Sequence, residues 1–430
     1  MTQLPHRTAL YATLGCKLNF AETSTVARQL AERGIQRVTP GEQPDVCVVN
    51  TCSVTAEADR KCRHVIRKLS HRYPGATIVV TGCYAQLKPM EVAAIEGVDM
   101  VVGVNDKLRI ADYLERQTAP VPVQARDLRE FMPSCSRGDR TRYFLKVQDG
   151  CDYWCSYCTI PAARGRSRSG TVAQIVAQAH DVAAEGGKEI VITGVNIGDF
   201  GKGTDESFFD LVRALDAVDG IERYRISSIE PNLLSDEIID YCAASGKFMP
   251  HFHIPLQSGN DEVLRLMRRH YLTGDFAEKI RKVRAAIPHA FIGVDLIVGA
   301  RGETDELFAQ SKAFVESLPV SRLHVFTYSE RPGTRALDIA YAVPPEVKHA
   351  RTAEMLAVSE RLQRTFSQQY EGTVRPVLIE HETHGRMGGF TDNYLRVELP
   401  RVYPELANTV VPVRLVRLAD DASKFTGELL

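Results

Sequence analysis

Short apolar runs rich in β-branched residues alternate with amphipathic stretches through the first quarter of the chain. TALYATL (8–14), VCVVN (46–50), TIVVT (77–81) and VDMVVGV (98–104) have the pattern of buried strands. Apolar residues at helical spacing fill 20–33 and 56–72 between the first three. That alternation predicts an α/β domain over 1–117, a doubly wound parallel sheet built from βαβ units. Pro120, Pro122, Pro133 and mixed charges then predict a linker over 118–141.

Alternation resumes at 142. Strand patterns occupy 142–148, 189–193, 223–228, 251–256, 291–298 and 322–328, with helical stretches between them. Six βα units fit either an open doubly wound sheet or a partial (β/α) barrel. A helix is expected over 345–368, after Pro344, closing a unit of 142–368. Residues 369–430 change character. Segments 373–382, 390–398 and 409–418 are strand-like and separated by turns such as HGRMGG, which predicts a small antiparallel β-barrel.

Composition narrows the class. A chain of 430 residues, 44% apolar and 25% charged, has the balance of a folded multidomain protein. A net charge of −1 excludes a sequence-wide attraction to nucleic acid and leaves only local patches. Basic runs lie at 60–72, 163–169 and 265–270 as candidate phosphate contacts. No apolar stretch has the length of a membrane span, and MTQLPHRTAL lacks a signal-peptide core. A cytoplasmic location without a membrane partner is expected.

Ten cysteines in such a chain suggest metal binding or chemistry rather than disulfides. Cys151, Cys155 and Cys158 follow a predicted strand at C-x₃-C-x₂-C spacing, compact enough for one loop to gather three thiolates. Iron–sulfur clusters take such ligands, whereas a zinc ribbon would need a second knuckle that is missing here. Cys16, Cys52 and Cys83 are far apart in sequence, yet each follows the end of a predicted strand. In a parallel sheet those ends share one edge. Gly15 and Gly82 allow close backbone approach there, and Asn50, Thr51 and Thr81 are candidates to hydrogen-bond sulfur. Chance burial of three thiols is the bland alternative. Cys47, Cys62, Cys135 and Cys242 have no partners at ligand spacing and receive no role.

The C-x₃-C-x₂-C loop after the first strand of a βα array resembles the signature of radical S-adenosylmethionine (SAM) enzymes. The resemblance implies a [4Fe–4S] cluster on Cys151, Cys155 and Cys158 that binds SAM and, when reduced, generates a 5′-deoxyadenosyl radical. GCKLN, NTCSVT and GCYAQ extend it, as do PAARGRSRSG (161–170), HIPLQSGND (253–261), LIVGARGET (296–304) and FTYSERPGTRA (326–336). Together they resemble the methylthiotransferase branch over nearly the whole chain. That implies a second, auxiliary [4Fe–4S] cluster on Cys16, Cys52 and Cys83. It also implies a partial-barrel radical SAM core and a C-terminal TRAM β-barrel that binds tRNA. On the last, Arg386, Arg396 and Tyr394 are the candidate contacts.

Strand-end placement makes Tyr157, Gly194, Asn196, Ser228, Glu230 and Gln257 candidates to hold SAM. GCKLN, NTCSVT and ADRKCR are most similar to members that act on threonylcarbamoyladenosine at tRNA position 37. The implied reaction adds a methylthio group to adenine C2. The implied partners are the anticodon loop of ANN-decoding tRNA and an electron-donor protein. Other members act on isopentenyladenosine or on a ribosomal-protein aspartate. A non-catalytic iron–sulfur or RNA-binding protein is the alternative from another class. Ala300-Arg301 replaces the family's usual Phe-Pro, and Ala162 its usual Tyr.

Overall fold

In the computed structural model, residues 7–39, 41–118, 122, 125, 128–138 and 140–430 are described. The first sheet contains β1 (Thr8–Thr13), β2 (Gln36–Arg37), β3 (Val46–Thr51), β4 (Thr77–Gly82) and β5 (Met100–Val102). All neighbours are parallel, in the order β2-β1-β3-β4-β5. Helices α1 (Lys17–Glu32), α2 (Ala56–Arg72), α3 (Cys83–Leu87), α4 (Pro89–Ala93) and α5 (Ile110–Arg116) cover it. Val26 and Leu30 of α1 pack with Val46, Val48 and α5 on one face. Cys62 and Ile66 of α2 pack with Cys47 and Val49 on the other.

Burial from both sides is why β3 reads as an unbroken apolar run. The sheet is doubly wound as expected, with its strand order reversing between β1 and β3. Polar Gln36–Arg37 gave no strand signal, and the expected strand 98–104 contracts to three residues.

Part of the expected linker, Pro120 included, falls outside the described residues, as do residues 1–6. Its far end is not a free tether. There β6 (Ser134–Cys135) runs antiparallel to β7 (Arg142–Lys146). Thr25 of α1 accepts a hydrogen bond from Cys135 N at 3.2 Å, and Arg28 donates to Cys135 O at 2.8 Å. A two-residue strand buried by tertiary contact leaves no periodicity to read.

The second unit contains β8 (Gln148–Asp149), α6 (Ile160–Arg164), β9 (Arg168–Ser169), α7 (Val172–Ala184), β10 (Glu189–Thr193) and α8 (Phe208–Asp216). It continues through β11 (Arg223–Ile226), α9 (Asp236–Ala244), β12 (His251–Gln257), α10 (Asp261–Leu266) and α11 (Thr273–Ala286). It ends with β13 (Phe291–Val298), α12 (Asp305–Ser317), β14 (Arg322–Thr327) and α13 (Pro345–Gln368). Sheets β11-β10-β7-β6 and β12-β13-β14 are joined by parallel bridges Tyr224–Phe248 and Ser228–His253. The six parallel strands therefore follow chain order without reversal. This decides for the partial barrel over the doubly wound sheet, with one core between strands and helices. On the opposite, lumen face, Phe20 and Ala21 of α1 pack against Phe144 and Val191, so α1 enters the open side of the barrel.

The C-terminal unit is a closed barrel of β15 (Val374–Ile379), β16 (Gly388–Thr391), β17 (Arg396–Glu398), β18 (Val410–Leu418) and β19 (Phe425–Leu429), in the order β15-β16-β17-β19-β18. It is antiparallel except for β17 with β19, which are parallel, and this corrects the all-antiparallel expectation. The expected strand 390–398 breaks in a turn where Tyr394 has φ +67°. This barrel seats on the N-terminal edge of the central strands. Arg225 donates to Asp392 O and Thr391 O at 2.7 and 2.8 Å, and Tyr394 packs on His251. Among the described residues no helix is long and apolar enough to cross a membrane.

Candidate active site

Cys151, Cys155 and Cys158 lie at the C-terminal mouth of the central barrel, in a loop that closes on itself. Cys158 N donates to Cys155 O at 3.1 Å, and Trp154 adopts φ +53° to make the bend. The loop is fixed at both ends, by Cys151 N to Gly165 O at 3.1 Å and Ser156 N to Met267 O at 3.0 Å. Each sulfur receives a donor: Tyr153 N to Cys151 and Ile160 N to Cys158 at 3.4 Å, and Arg269 to Cys155 at 3.0 Å. Burial pushes the Cys151 and Cys158 thiols up to about 12, so cluster binding has to displace their protons.

Arg269 lies in the basic run 265–270 that was expected to face RNA. It turns inward instead, donating to Glu230, Tyr271 and Cys155. Glu230, read as a SAM ligand, is thus paired with Arg269, although burial still raises its carboxyl. Tyr157 lies between the cysteines within 3.5 Å of Arg269. Gly194 packs where a Cβ would stand 3.1 Å from Gln148 Oε1. That amide accepts from Val195 N and Asn196 N at 3.0 and 2.8 Å and donates to Gly150 O at 2.7 Å. Gln148 ties the two loops together and was missed, although it stands just before the DGC motif.

Both side-chain amide atoms of Asn196 are buried without a partner, which suits a polar ligand at this mouth. Ser228 bridges to His253 at the barrel's seam. Gln257 has φ +70° at a break in the β12–β13 register, a strained backbone of the sort kept at working sites.

Cys16, Cys52 and Cys83 follow β1, β3 and β4, and the first two flank the reversal of strand order. Gly15 and Gly82 both have φ +98°. A Cβ on Gly15 would stand 2.9 Å from Cys52 Sγ, and one on Gly82 2.3 Å from Thr51 O. Both glycines are therefore required, as expected. Cys16 is exposed, whereas Cys52 and Cys83 are buried. Burial and the neighbouring Cys83 push the Cys52 thiol up to about 12.

Asn50 and Thr51 do not serve sulfur. Asn50 Nδ2 donates to Asn19 O at 2.9 Å and Thr51 Oγ1 to Thr81 O at 2.5 Å, so both brace the sheet edge. Thr81 Oγ1 is left without a partner. Cys62, given no role, receives Cys52 N at 3.4 Å and donates to Cys52 O at 3.3 Å.

The two trios are held together by buried charge. Arg164, just past Cys158, donates to Asn19 at 2.6 Å, to Asp149 at 2.9 Å and to both oxygens of Glu22 at 3.1 Å. Its positive charge also counters the burial that raises the Cys83 thiol. Lys107 and Lys146 reach Glu22 at 2.5 and 2.9 Å, while Lys146 and Arg168 reach Asp149 at 2.8 and 3.3 Å. Burial alone would raise the Glu22 carboxyl, but Arg164, Lys107 and Lys146 hold it well below the carboxylate range. Four cations thus share two carboxylates, and the positive excess lies beside Cys83.

A second clamp joins Arg331 to Ser53 and Asp59, both at 2.8 Å, next to Cys52. Two of the three arginines in run 163–169 are therefore internal. Run 60–72, on α2, does face solvent. Arg386 and Arg396 line a cleft of about 650 Å³ with Arg140 and Lys424, whereas Tyr394 is half-buried in the seam.

The donor sets suit iron–sulfur clusters: thiolates only, with hydrogen bonds or cations directed at sulfur. Among the described residues no three His, Cys, Asp or Glu are gathered tightly enough for a single ion. A cubane, with irons at separate corners, takes its cysteines wider apart.

A half-barrel with a three-cysteine loop at its mouth is the architecture of the radical SAM superfamily, which residues 145–315 match. Residues 8–103 match the uncharacterized protein family UPF0004. A TsrM methyltransferase structure from Kitasatospora setae, with cobalamin and a [4Fe-4S] cluster bound, shares the fold. Its TM-score is 0.58 at 15% identity, covering 90% of this chain and 82% of that one. The threonylcarbamoyladenosine tRNA methylthiotransferase MtaB of Bacillus subtilis is 38% identical over 426 residues, 95% of this chain and 94% of that protein. A tRNA-2-methylthio-N(6)-dimethylallyladenosine synthase of Syntrophotalea carbinolica is 33% identical, covering 94% and 95%. The chain belongs to the MtaB-type methylthiotransferases of the radical SAM superfamily. Membership implies SAM and a [4Fe–4S] cluster as cofactors.

Proposed function

We propose that the protein methylthiolates C2 of threonylcarbamoyladenosine at position 37 of tRNA. It would use a SAM-binding cluster on Cys151, Cys155 and Cys158 and an auxiliary cluster on Cys16, Cys52 and Cys83. The observation that carries this reading is the joining of both trios through Arg164 and its partners, which makes one site from two lobes. When bound, the clusters and SAM supply hydrogen abstraction and a methylated sulfur.

The chain's own residues hold and orient. Arg269 donates to Cys155 and positions Glu230. Gln148 fixes the turn bearing Asn196, whose free amide meets SAM, with Tyr157, Gly194, Ser228 and Gln257 around it. The C-terminal unit acts as a TRAM domain, with Arg386 and Arg396 on the tRNA backbone, and the exposed face of α2 adds further cations. The reaction takes place in the cytoplasm with an electron-donor protein.

Mass spectrometry of tRNA nucleosides tests the reading, in a host that makes threonylcarbamoyladenosine but not its 2-methylthio derivative. Expression of the gene should produce the derivative. Its absence from cells that hold iron-loaded protein would overturn the substrate.

A further inference from the structure

The buried cations of this molecule are nearly all paired. Arg164, Lys107 and Lys146 share Glu22 and Asp149, Arg269 holds Glu230, and Arg225 holds Glu189. Lys17 differs. It is the first residue of α1, directly after Cys16, where α1 enters the barrel lumen. Among the described residues no carboxylate lies within ion-pair distance of its ammonium.

Its electrostatic neighbours are Tyr394, Arg142, Asp295 and Cys16. The nearby acid is already engaged: Asp295 bonds His253 at 2.6 Å. Arg142, a second cation, is held by Glu380 at 3.1 Å. Around Lys17 the lumen is therefore cationic and walled by rings, with Tyr394 against His251 at 4.1 Å and against Phe390 at 4.9 Å. A half-buried cation that faces the lumen without a counter-ion is open to a ligand that brings one.

We propose that Lys17 forms the subsite for a carboxylate carried by the substrate base, the free acid of the threonylcarbamoyl group. The proposal rests on the substrate reading above and extends it to a residue. C2 and C6 both flank N1 of adenine, and the substituent hangs from C6. A base presented with C2 toward Cys16 thus carries its substituent along the edge that the next residue can reach. An isopentenyl group would offer Lys17 no hydrogen-bond acceptor and leave the ammonium unpaired. A site built to bind a polar group rejects the analogue that lacks it.

The test is equilibrium binding of anticodon stem-loop RNAs to the iron-loaded full-length protein without SAM. The RNAs carry threonylcarbamoyladenosine, its neutral methyl ester, isopentenyladenosine or plain adenosine. The wild-type protein should bind the acid about 10- to 100-fold more tightly than the ester, the range of a hydrogen bond to a charged group. Lys17→Gln should bring the two together, and Lys17→Arg should restore most of the preference. Lys17→Met runs in parallel, with iron and sulfide content matched across variants, because Cys16 adjoins. Full retention of the acid preference in Lys17→Gln and Lys17→Met would overturn the subsite while leaving the substrate intact. Wild-type preference for the isopentenyl RNA would overturn the substrate reading itself, and the subsite with it.

Discussion

The two cysteine trios solve one problem in opposite ways. The mouth trio sits within a single eight-residue loop, closed by its own backbone and a bend at Trp154. The other is assembled from three strand ends and exists only after β1, β3 and β4 have paired in parallel. One is local chemistry on a scaffold, while the other is a property of the scaffold. The local trio should tolerate damage to distant packing, whereas the assembled trio should register it first.

The sharpest way to break that contrast is to remove one ligand from each. Cys155→Ala should abolish formation of 5′-deoxyadenosine. Cys16→Ala should retain it while losing all methylthio product and about half of the iron. Chromatography of the SAM cleavage products, with an iron assay, separates the two. Full product from Cys16→Ala would end the assignment of an auxiliary cluster.

Next in size is Glu22→Ala, which strands Lys107 without a carboxylate and leaves Arg164, Lys146 and Arg168 crowded on Asp149 in a dry interior. A loss of about 3–5 kcal/mol is expected in chemical denaturation, because breaking a buried ion network strands its charges. Iron should fall at the assembled trio before the loop trio. Gly82→Ala should act more narrowly. Its φ of +98° and a Cβ 2.3 Å from Thr51 O force the Cys83 turn to move, at about 1–3 kcal/mol. Iron retention by the loop trio alone would sharpen the comparison.

Arg269→Gln should cost less in stability yet reach the loop trio directly. Loss of a cationic donor to Cys155 should move that cluster's midpoint potential negative in an EPR-monitored titration. The smallest effect is expected for Ser53→Ala. It removes bonds to Asp59 at 2.6 Å and Arg331 at 2.8 Å, worth about 1 kcal/mol by thermal denaturation.

The same contrast explains what could be read from the chain. Spacing alone exposed Cys151, Cys155 and Cys158, because their geometry is local. Cys16, Cys52 and Cys83 were legible only through strand ends, once a parallel sheet was inferred. Helix 345–368 and strand 46–50 stood out because one depends on a simple periodicity and the other on a doubly buried run. The choice between open sheet and partial barrel was not legible, since the pattern of six βα units is the same until their order in space is known. Nor was the charge network. Arg164 meets Glu22 across 142 residues, and its run ARGRSRS looks like a solvated or RNA-facing surface. Charged residues that pair over such distances carry no periodic trace, and β6 is too short to leave one.

The network of Arg164, Lys107, Lys146, Arg168, Glu22 and Asp149 also has a bearing on modular engineering. Glu22 and Lys107 come from the first lobe and cancel each other, whereas the other four, from the second, leave a positive excess at the joint that only Glu22 reaches across to offset. A chimera that takes one lobe from a relative would inherit half of an ionic lock. Lobes can therefore be exchanged only as a matched pair of keys, with Glu22 and Arg164 travelling together.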